Sequence, residues 1–141
     1  MADNNMNNAA LNQSNVEVLI AEEILAGNGI IRLDEQDVKN LRDSSDYIDG
    51  TVVDGKLDEL GKLADQGINS LKEAHPQDAL TMLMVKIRIA IHSDLLMEQM
   101  ESIHDVFSNL DDDISFMWGV EVDAPVPEEV RICVLGGFKL K

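Results

Sequence analysis

The segment MVKIRIAIH (84–92) constrains the fold more than any other stretch of this chain. Apolar residues alternate with polar ones along it, and this period of two is typical of a β-strand. The apolar set is Val85, Ile87, Ile89 and Ile91, and the polar set is Lys86, Arg88 and His92. Segments with helical periodicity lie on both sides. A strand between two helices predicts a sheet with crossover connections, in which neighbouring strands are parallel.

The remaining periodicities complete the predicted order α-α-β-α-β-α-β-β. Four helices are predicted: 16–29, ended by Gly27 and Gly29; a short one after Asp34; 56–74; and one capped by Ser93. Four strands are predicted: 46–54, 84–92, 114–122 and 130–138. The loop between the last two strands is short and predicts an antiparallel hairpin. The predicted fold class is an α/β (α+β) sandwich with a four-stranded mixed sheet.

Chain length and composition predict one domain. Residues 1–15 are rich in Asn and have no aromatic residue, which predicts a disordered leader. Residues 16–138 form the predicted domain, and 139–141 a short tail. The initial Met and the Asn-rich leader favour a free-standing protein over a cloned fragment.

The net charge of −16 argues against two classes of partner. Acidic residues occur along the whole chain without a basic block, so nucleic acid and anionic membranes are poor partners. The single cysteine, Cys133, permits no internal disulfide, and no signal peptide or membrane span is evident. These features predict a cytoplasmic protein.

Few residues in the sequence suggest catalysis or metal binding. His75, His92 and His104 have no ligand partner at helical spacing, and Asp111–Asp113 lack the calcium-loop pattern, so we predict no metal and no cofactor. Cys133 is interpreted as a small packed residue. Met97 and Met100 are interpreted as core filler.

Asp34 and Asp37 are the most informative polar pair. Asp34 is a good N-cap, and Asp37 falls at the third helical position, so their spacing predicts a capping interaction. Helix capping alone accounts for such a pair.

Several strings, taken in order from Val16 to Phe138, resemble the C-terminal half of FtsZ, the tubulin-like GTPase family of bacterial division. The stretch 16–38 is similar to the end of the family's central helix and the loop after it, which typically reads N-x-D-x-x-D. Here that loop reads RLDEQD (32–37), with Arg32 in place of Asn. The stretches 47–70 and 84–107 resemble the following strand–helix units. The stretch 114–138 is similar to the closing hairpin, with matching Gly119, Asp123, 129–131 and 137–138.

The resemblance implies a docking role for this loop. In the family, subunits stack head to tail, and the loop with the two acids enters the nucleotide site of the next subunit. Carried over, this makes Arg32, Asp34 and Asp37 a partner-docking loop, with full-length FtsZ or a second copy of the chain as the partner. The family's glycine-rich GTP signature does not occur in this sequence, so the chain is not expected to be a GTPase by itself.

An alternative function stays open at this point. A sandwich of this class can also be a small-molecule-binding or metabolic enzyme domain. Lys86 and Arg88 are the only candidates for an anion pocket, and we interpret them instead as the solvent face of an amphipathic strand. The preferred prediction is therefore a non-enzymatic protein–protein interaction or assembly module.

Overall fold

The computed structural model describes residues 15–27, 29–94 and 96–141. The predicted leader, 1–15, lies outside these ranges except for Asn15, which is helical. Residues 15–19 are α-helical and continue into a π-helical turn, Ile20–Ile24; together they are called α1. The other elements are β1 (Gly29–Ile31), α2 (Glu35–Asp43), β2 (Tyr47–Gly55), a 3₁₀ turn (Leu57–Glu59), α3 (Leu60–Ala74), β3 (Ala79–Ala90), α4 (Met97–Ser108), β4 (Ser115–Ala124) and β5 (Val130–Lys139).

The strands form one mixed sheet in the order β1-β4-β3-β5-β2. Its four long strands are the four predicted from the sequence, and the α+β fold class is confirmed. β3 is parallel to β4 and antiparallel to β5, and β2 is antiparallel to β5. The three-residue β1 adds to the outer edge of β4. The sequence prediction missed β1 and assigned Gly29 to the end of the preceding helix.

The last two strands are antiparallel to each other, as predicted, but they are not paired. β3 lies between β4 and β5 and hydrogen-bonds to both. The loop that connects β4 to β5 therefore passes the end of β3, whereas the sequence predicted a direct hairpin. A short loop limits the distance between strand ends without fixing which strands are neighbours.

Helices cover both faces of the sheet and create two apolar clusters. On one face, α3 and α4 pack on alternate residues of β3 and β5, among them Val85, Ile87 and Phe138. On the other face, α1 and α2 pack on Met84, Cys133 and Leu135. The sheet is thus the middle layer of three, which explains why β3 is buried from Leu83 to Ile89 on both of its faces. Among the described residues, no helix has the length and apolar character needed to cross a bilayer.

The structure corrects the interpretation of the polar face of β3. The alternation is right, since Lys86 and Arg88 lie opposite Val85 and Ile87, but this face is covered by α1 and not by solvent. Lys86 is 2% exposed and Arg88 is 6% exposed. The strand ends at Ala90, so Ile91 lies exposed in a turn. His92 follows in the same turn with φ of 71°.

The N-terminus of α4 also differs from the prediction. The helix begins at Met97 and not after Ser93, and the side chain of Gln99 accepts a hydrogen bond from the Leu96 backbone N–H. As a result Met97 lies at the exposed helix start, with 78% of its surface accessible. Met97 is therefore not core filler, and Met100 is only half-buried.

Cys133 is packed beneath α1, as expected for a small core residue. It is fully buried, and burial raises the pKa of its thiol to about 12. A neutral thiol in an apolar setting is a poor nucleophile.

We expect Cys133 in the folded protein to react with a disulfide reagent only as fast as the chain unfolds. The unfolded thiol ionises near its ordinary pKa of about 8.5, while the folded thiol keeps its proton up to about 12. The unfolded state thus binds fewer protons in this window, so the Cys133 contribution to the free energy of unfolding falls as pH rises. Thiol titration with and without urea measures the rates, and rapid native labelling would contradict the burial.

Candidate docking site

The segment between α1 and α2 forms a short, well-anchored loop at one edge of the sheet. After Gly27 the chain enters β1, where Gly29 pairs with Glu121 of β4 and Ile31 pairs with Val120. Arg32 follows with an exposed side chain, and the next side chain, Leu33, is buried. Arg32 therefore faces solvent between the pairing of β1 with β4 on one side and the buried Leu33 on the other.

Asp34 and Asp37 form the capping interaction that their spacing predicted. Asp34 Oδ1 accepts a hydrogen bond from the Asp37 backbone N–H over 2.9 Å, and Asp37 Oδ2 accepts one from the Asp34 N–H over 3.0 Å. This reciprocal pair satisfies two backbone donors at the start of α2. One oxygen of each carboxylate is used in this way, which leaves the other oxygen of each available to a further donor.

Lys86 attaches the beginning of the loop to the sheet. From the middle of β3, its Nζ donates to the backbone carbonyls of Glu23 (3.2 Å), Ile24 (2.8 Å) and Ala26 (3.0 Å). The last carbonyls of a helix have no partner within the helix and carry partial negative charge, so a cation at this end is favourable. Lys86 therefore terminates α1 and directs the chain towards β1.

An ionic cluster beside Lys86 joins α1 to four strands. Arg88 donates to Glu23 over 2.6 Å and to Glu121 over 2.8 Å. Arg131 on β5 donates to the other oxygen of Glu23 over 2.9 Å and to Asp54 on β2 over 2.8 Å. With Lys86 included, three cations face three carboxylates. Because each buried charge has an opposite partner, the desolvation cost of this cluster is offset.

The cluster changes the proton affinity of its basic groups. Burial lowers the pKa of Lys86, with Glu121 acting in the opposite direction. Burial also disfavours the charged form of Arg88, but hydrogen bonds to Glu121 and Glu23 outweigh it and raise its pKa. For Arg131, the hydrogen bond to Asp54 is the main cause of a raised pKa. Both guanidinium groups therefore stay charged at any pH that the fold tolerates.

Two glycines permit the close approach of the loop to β4. Gly27 has φ of 74°, and a side chain there would collide with the Glu121 carboxylate. At Gly119, an added Cβ would lie 2.9 Å from the Ile31 carbonyl oxygen and 3.0 Å from the Leu33 side chain. Both positions need glycine for the loop to lie where it does.

The structure shows where the predicted site residues lie and which other residues contact the loop or its attachment points. Asp34 and Asp37 are brought together as the helix cap, and Arg32 lies two residues before them without sharing that contact. The prediction missed Glu23 and Glu121, which hold the loop in place. The sequence indicates both residues, because each is an acid within an apolar pattern. Glu23 lies between Ile20 and Ile24, and Glu121 lies between two valines.

The other polar residues singled out from the sequence do not form a second site. His75 is the C-cap residue that follows α3, and its Nε2 lies 2.7 Å from Asp49 Oδ2. Asp111–Asp113 are exposed in the turn before β4. Across the described ranges, no group of three metal-ligating side chains comes together.

The fold and the loop define an α+β domain that presents a capped acidic loop at one sheet edge. Solved structures of FtsZ from M. jannaschii are similar to it. An empty FtsZ dimer matches with a TM-score of 0.56 and 22% identity, covering 81% of this chain and 33% of that chain. A point mutant of the same FtsZ matches with a TM-score of 0.62 and 18% identity, covering 92% and 40%.

These matches confirm the predicted resemblance at the level of the fold. The chain spans less than half the length of the FtsZ chains that it matches, in accord with a single FtsZ domain of the C-terminal type. No family model matches the sequence, and no curated protein matches it.

We expect Lys86→Met to lower the free energy of unfolding by about 3 kcal/mol, because three backbone carbonyls and Glu121 lose their cation. The matched control is Lys62→Met, since the Lys62 side chain is 80% exposed; its effect should stay within about 0.5 kcal/mol. Urea denaturation followed by circular dichroism measures both. Equal stability of the two variants would contradict the anchoring role of Lys86.

Proposed function

We propose that this chain is a non-enzymatic interaction module that docks through the Arg32–Asp37 loop onto a protein partner. Full-length FtsZ is the first candidate partner, and the expected effect is a change in filament assembly. The observation that carries the proposal is an FtsZ-like fold in which Arg32 and Asp34 of this loop are exposed and the loop is anchored at both ends by hydrogen bonds.

The geometry of the loop supports a docking role. A segment that is ordered before binding loses little conformational entropy when it binds. Here the sheet, the Lys86 contacts and the helix cap hold the loop on both sides of Arg32. Arg32 and the free oxygens of Asp34 and Asp37 provide a donor and acceptors of opposite charge within one short segment.

The positions of Lys86 and Arg88 argue against the alternative that the chain is an enzyme. Lys86 and Arg88 were the candidates for an anion pocket, and both are buried against carboxylates and carbonyls of the chain itself. A cation already paired in this way has little capacity to hold a substrate anion. This favours the interaction module over a metabolic enzyme of the same fold.

Light scattering of FtsZ from the same cell tests the proposal. FtsZ is polymerised with GTP, with and without this protein at equal concentration. We expect the amplitude or the rate of the signal to change, since a docked module occupies a surface that filament growth needs. No change at concentrations that saturate a weak contact would contradict docking onto FtsZ.

Two variants that each remove one charge are expected to separate docking from stability. Asp34→Asn still caps α2, because Asn is as good an N-cap as Asp, and Arg32→Gln alters an exposed side chain. Both should weaken partner binding by about ten-fold while the urea midpoint stays unchanged. The matched controls lie at the other end of α2: Asp43→Asn and Arg42→Gln, both exposed.

The variants also identify the partner class. If scattering is unchanged but sedimentation shows assembly of the chain alone, and Asp34→Asn removes that assembly, the partner is a second copy. If neither Asp34→Asn nor Arg32→Gln differs from its control in any binding assay, the loop is a helix cap only.

A further inference from the structure

A second surface of the chain, on the face of the sheet that α3 and α4 cover, has the composition of a peptide-binding groove. It lies between α4 and β4 and encloses about 480 Å³. The lining is mostly apolar and includes Met97, Met100, Phe107, Phe116 and Trp118. Of five aromatic residues in the sequence (three Phe, one Trp and one Tyr), three therefore line this groove.

The groove exposes large apolar side chains that a folded protein normally hides. Phe116 is 42% exposed although its ring stacks on Phe107 with centroids 4.5 Å apart, and Met97 is largely exposed at the helix start. A contiguous exposed apolar surface of this kind is typical of a binding site.

The stretch of β4 beside the groove also lacks a strand partner on its outer side within the described residues. β1 covers β4 only at Val120 and Glu121, so the stretch Ser115–Trp118 has no strand neighbour on its outer side within the described ranges. An open edge offers N–H and C=O groups that pair with an added strand. The opposite edge of the sheet, β2, carries Asp49 and Asp54, which discourage such pairing, whereas the open stretch of β4 has no charge.

The charge around the groove selects the kind of strand that can bind. Residues 89–130 contain eleven acidic residues and no Lys or Arg. Glu98, Glu101 and Asp111–Asp113 are exposed on α4 and in the turn before β4. A second copy of this chain, with its net charge of −16, would be repelled, and a cationic segment would be attracted.

We propose that the α4–β4 groove binds a cationic, alternating apolar segment of a partner protein, which adds as a strand to the open edge of β4. Alternate apolar side chains of the segment enter the groove against Phe116 and Trp118. The intervening Lys or Arg side chains face the acidic rim. This surface adjoins the Arg32–Asp37 loop along the outer edge of β4 but is formed by other residues, so each of the two binding proposals can be disproved without the other.

The sole tryptophan of the chain makes binding directly observable. The probe is the capped peptide KVKIKVKI, which has no aromatic residue and whose length of about eight residues covers the open edge. We expect it to change the emission of Trp118 in a saturable way. The peptide EVEIEVEI, with the same apolar residues, should leave the emission unchanged. The peptide KKKKVIVI, with the same composition, should bind about ten-fold more weakly.

Matched variants locate the binding surface. Phe116→Ser should weaken KVKIKVKI binding by about ten-fold. Val18→Ser should leave binding unchanged, because Val18 is exposed to a similar degree but lies on α1, across the sheet. If Phe116→Ser fails to fold, Met97→Ser gives the same test at a position whose side chain is mostly in solvent.

Three results would overturn this proposal. Equal affinity for KVKIKVKI and KKKKVIVI would show that the peptides bind by general charge attraction and not as an added strand. Equal losses in Phe116→Ser and Val18→Ser would place the peptide elsewhere. A dimer of the chain alone that Phe116→Ser converts to a monomer would assign the groove to a second copy.

Discussion

The contact between Lys86 and the end of α1 is the interaction on which the rest of the site depends. Buried cations are costly in a protein interior, and this one is retained because three carbonyls and a neighbouring carboxylate surround it. The same contact ends a helix, covers one face of the sheet and sets the direction in which the chain enters β1. This one contact therefore contributes both to the stability of the fold and to the position of the loop.

Much of the fold could be predicted because periodicity reports which residues share a face. The four long strands and the capping of α2 by Asp34 and Asp37 followed from spacing alone. Periodicity does not report what covers a face, so Lys86 and Arg88 were assigned to solvent. Nor does loop length fix strand order, which is why β3 between β4 and β5 was not foreseen.

The candidate site, too, could be predicted from the sequence only in its local contacts. The cap depends on residues three apart, and such local pairs can be recognised in a sequence. The anchors of the loop depend on contacts between distant residues: Lys86 binds carbonyls some sixty positions earlier, and Glu23 pairs with Arg131 across 108 positions. Charged residues within apolar patterns signal that such partners exist, but only the topology identifies them.

The position of β5 has a consequence for how the chain acquires its shape. β5 lies between β3 and β2, and it supplies the Arg131 that joins Glu23 to Asp54. During synthesis, β2 and α1 leave the ribosome long before this strand does, and contacts of such sequence separation form slowly. We therefore expect β2 to lack its strand partner, and Glu23 and Asp54 to lack Arg131, until β5 has emerged.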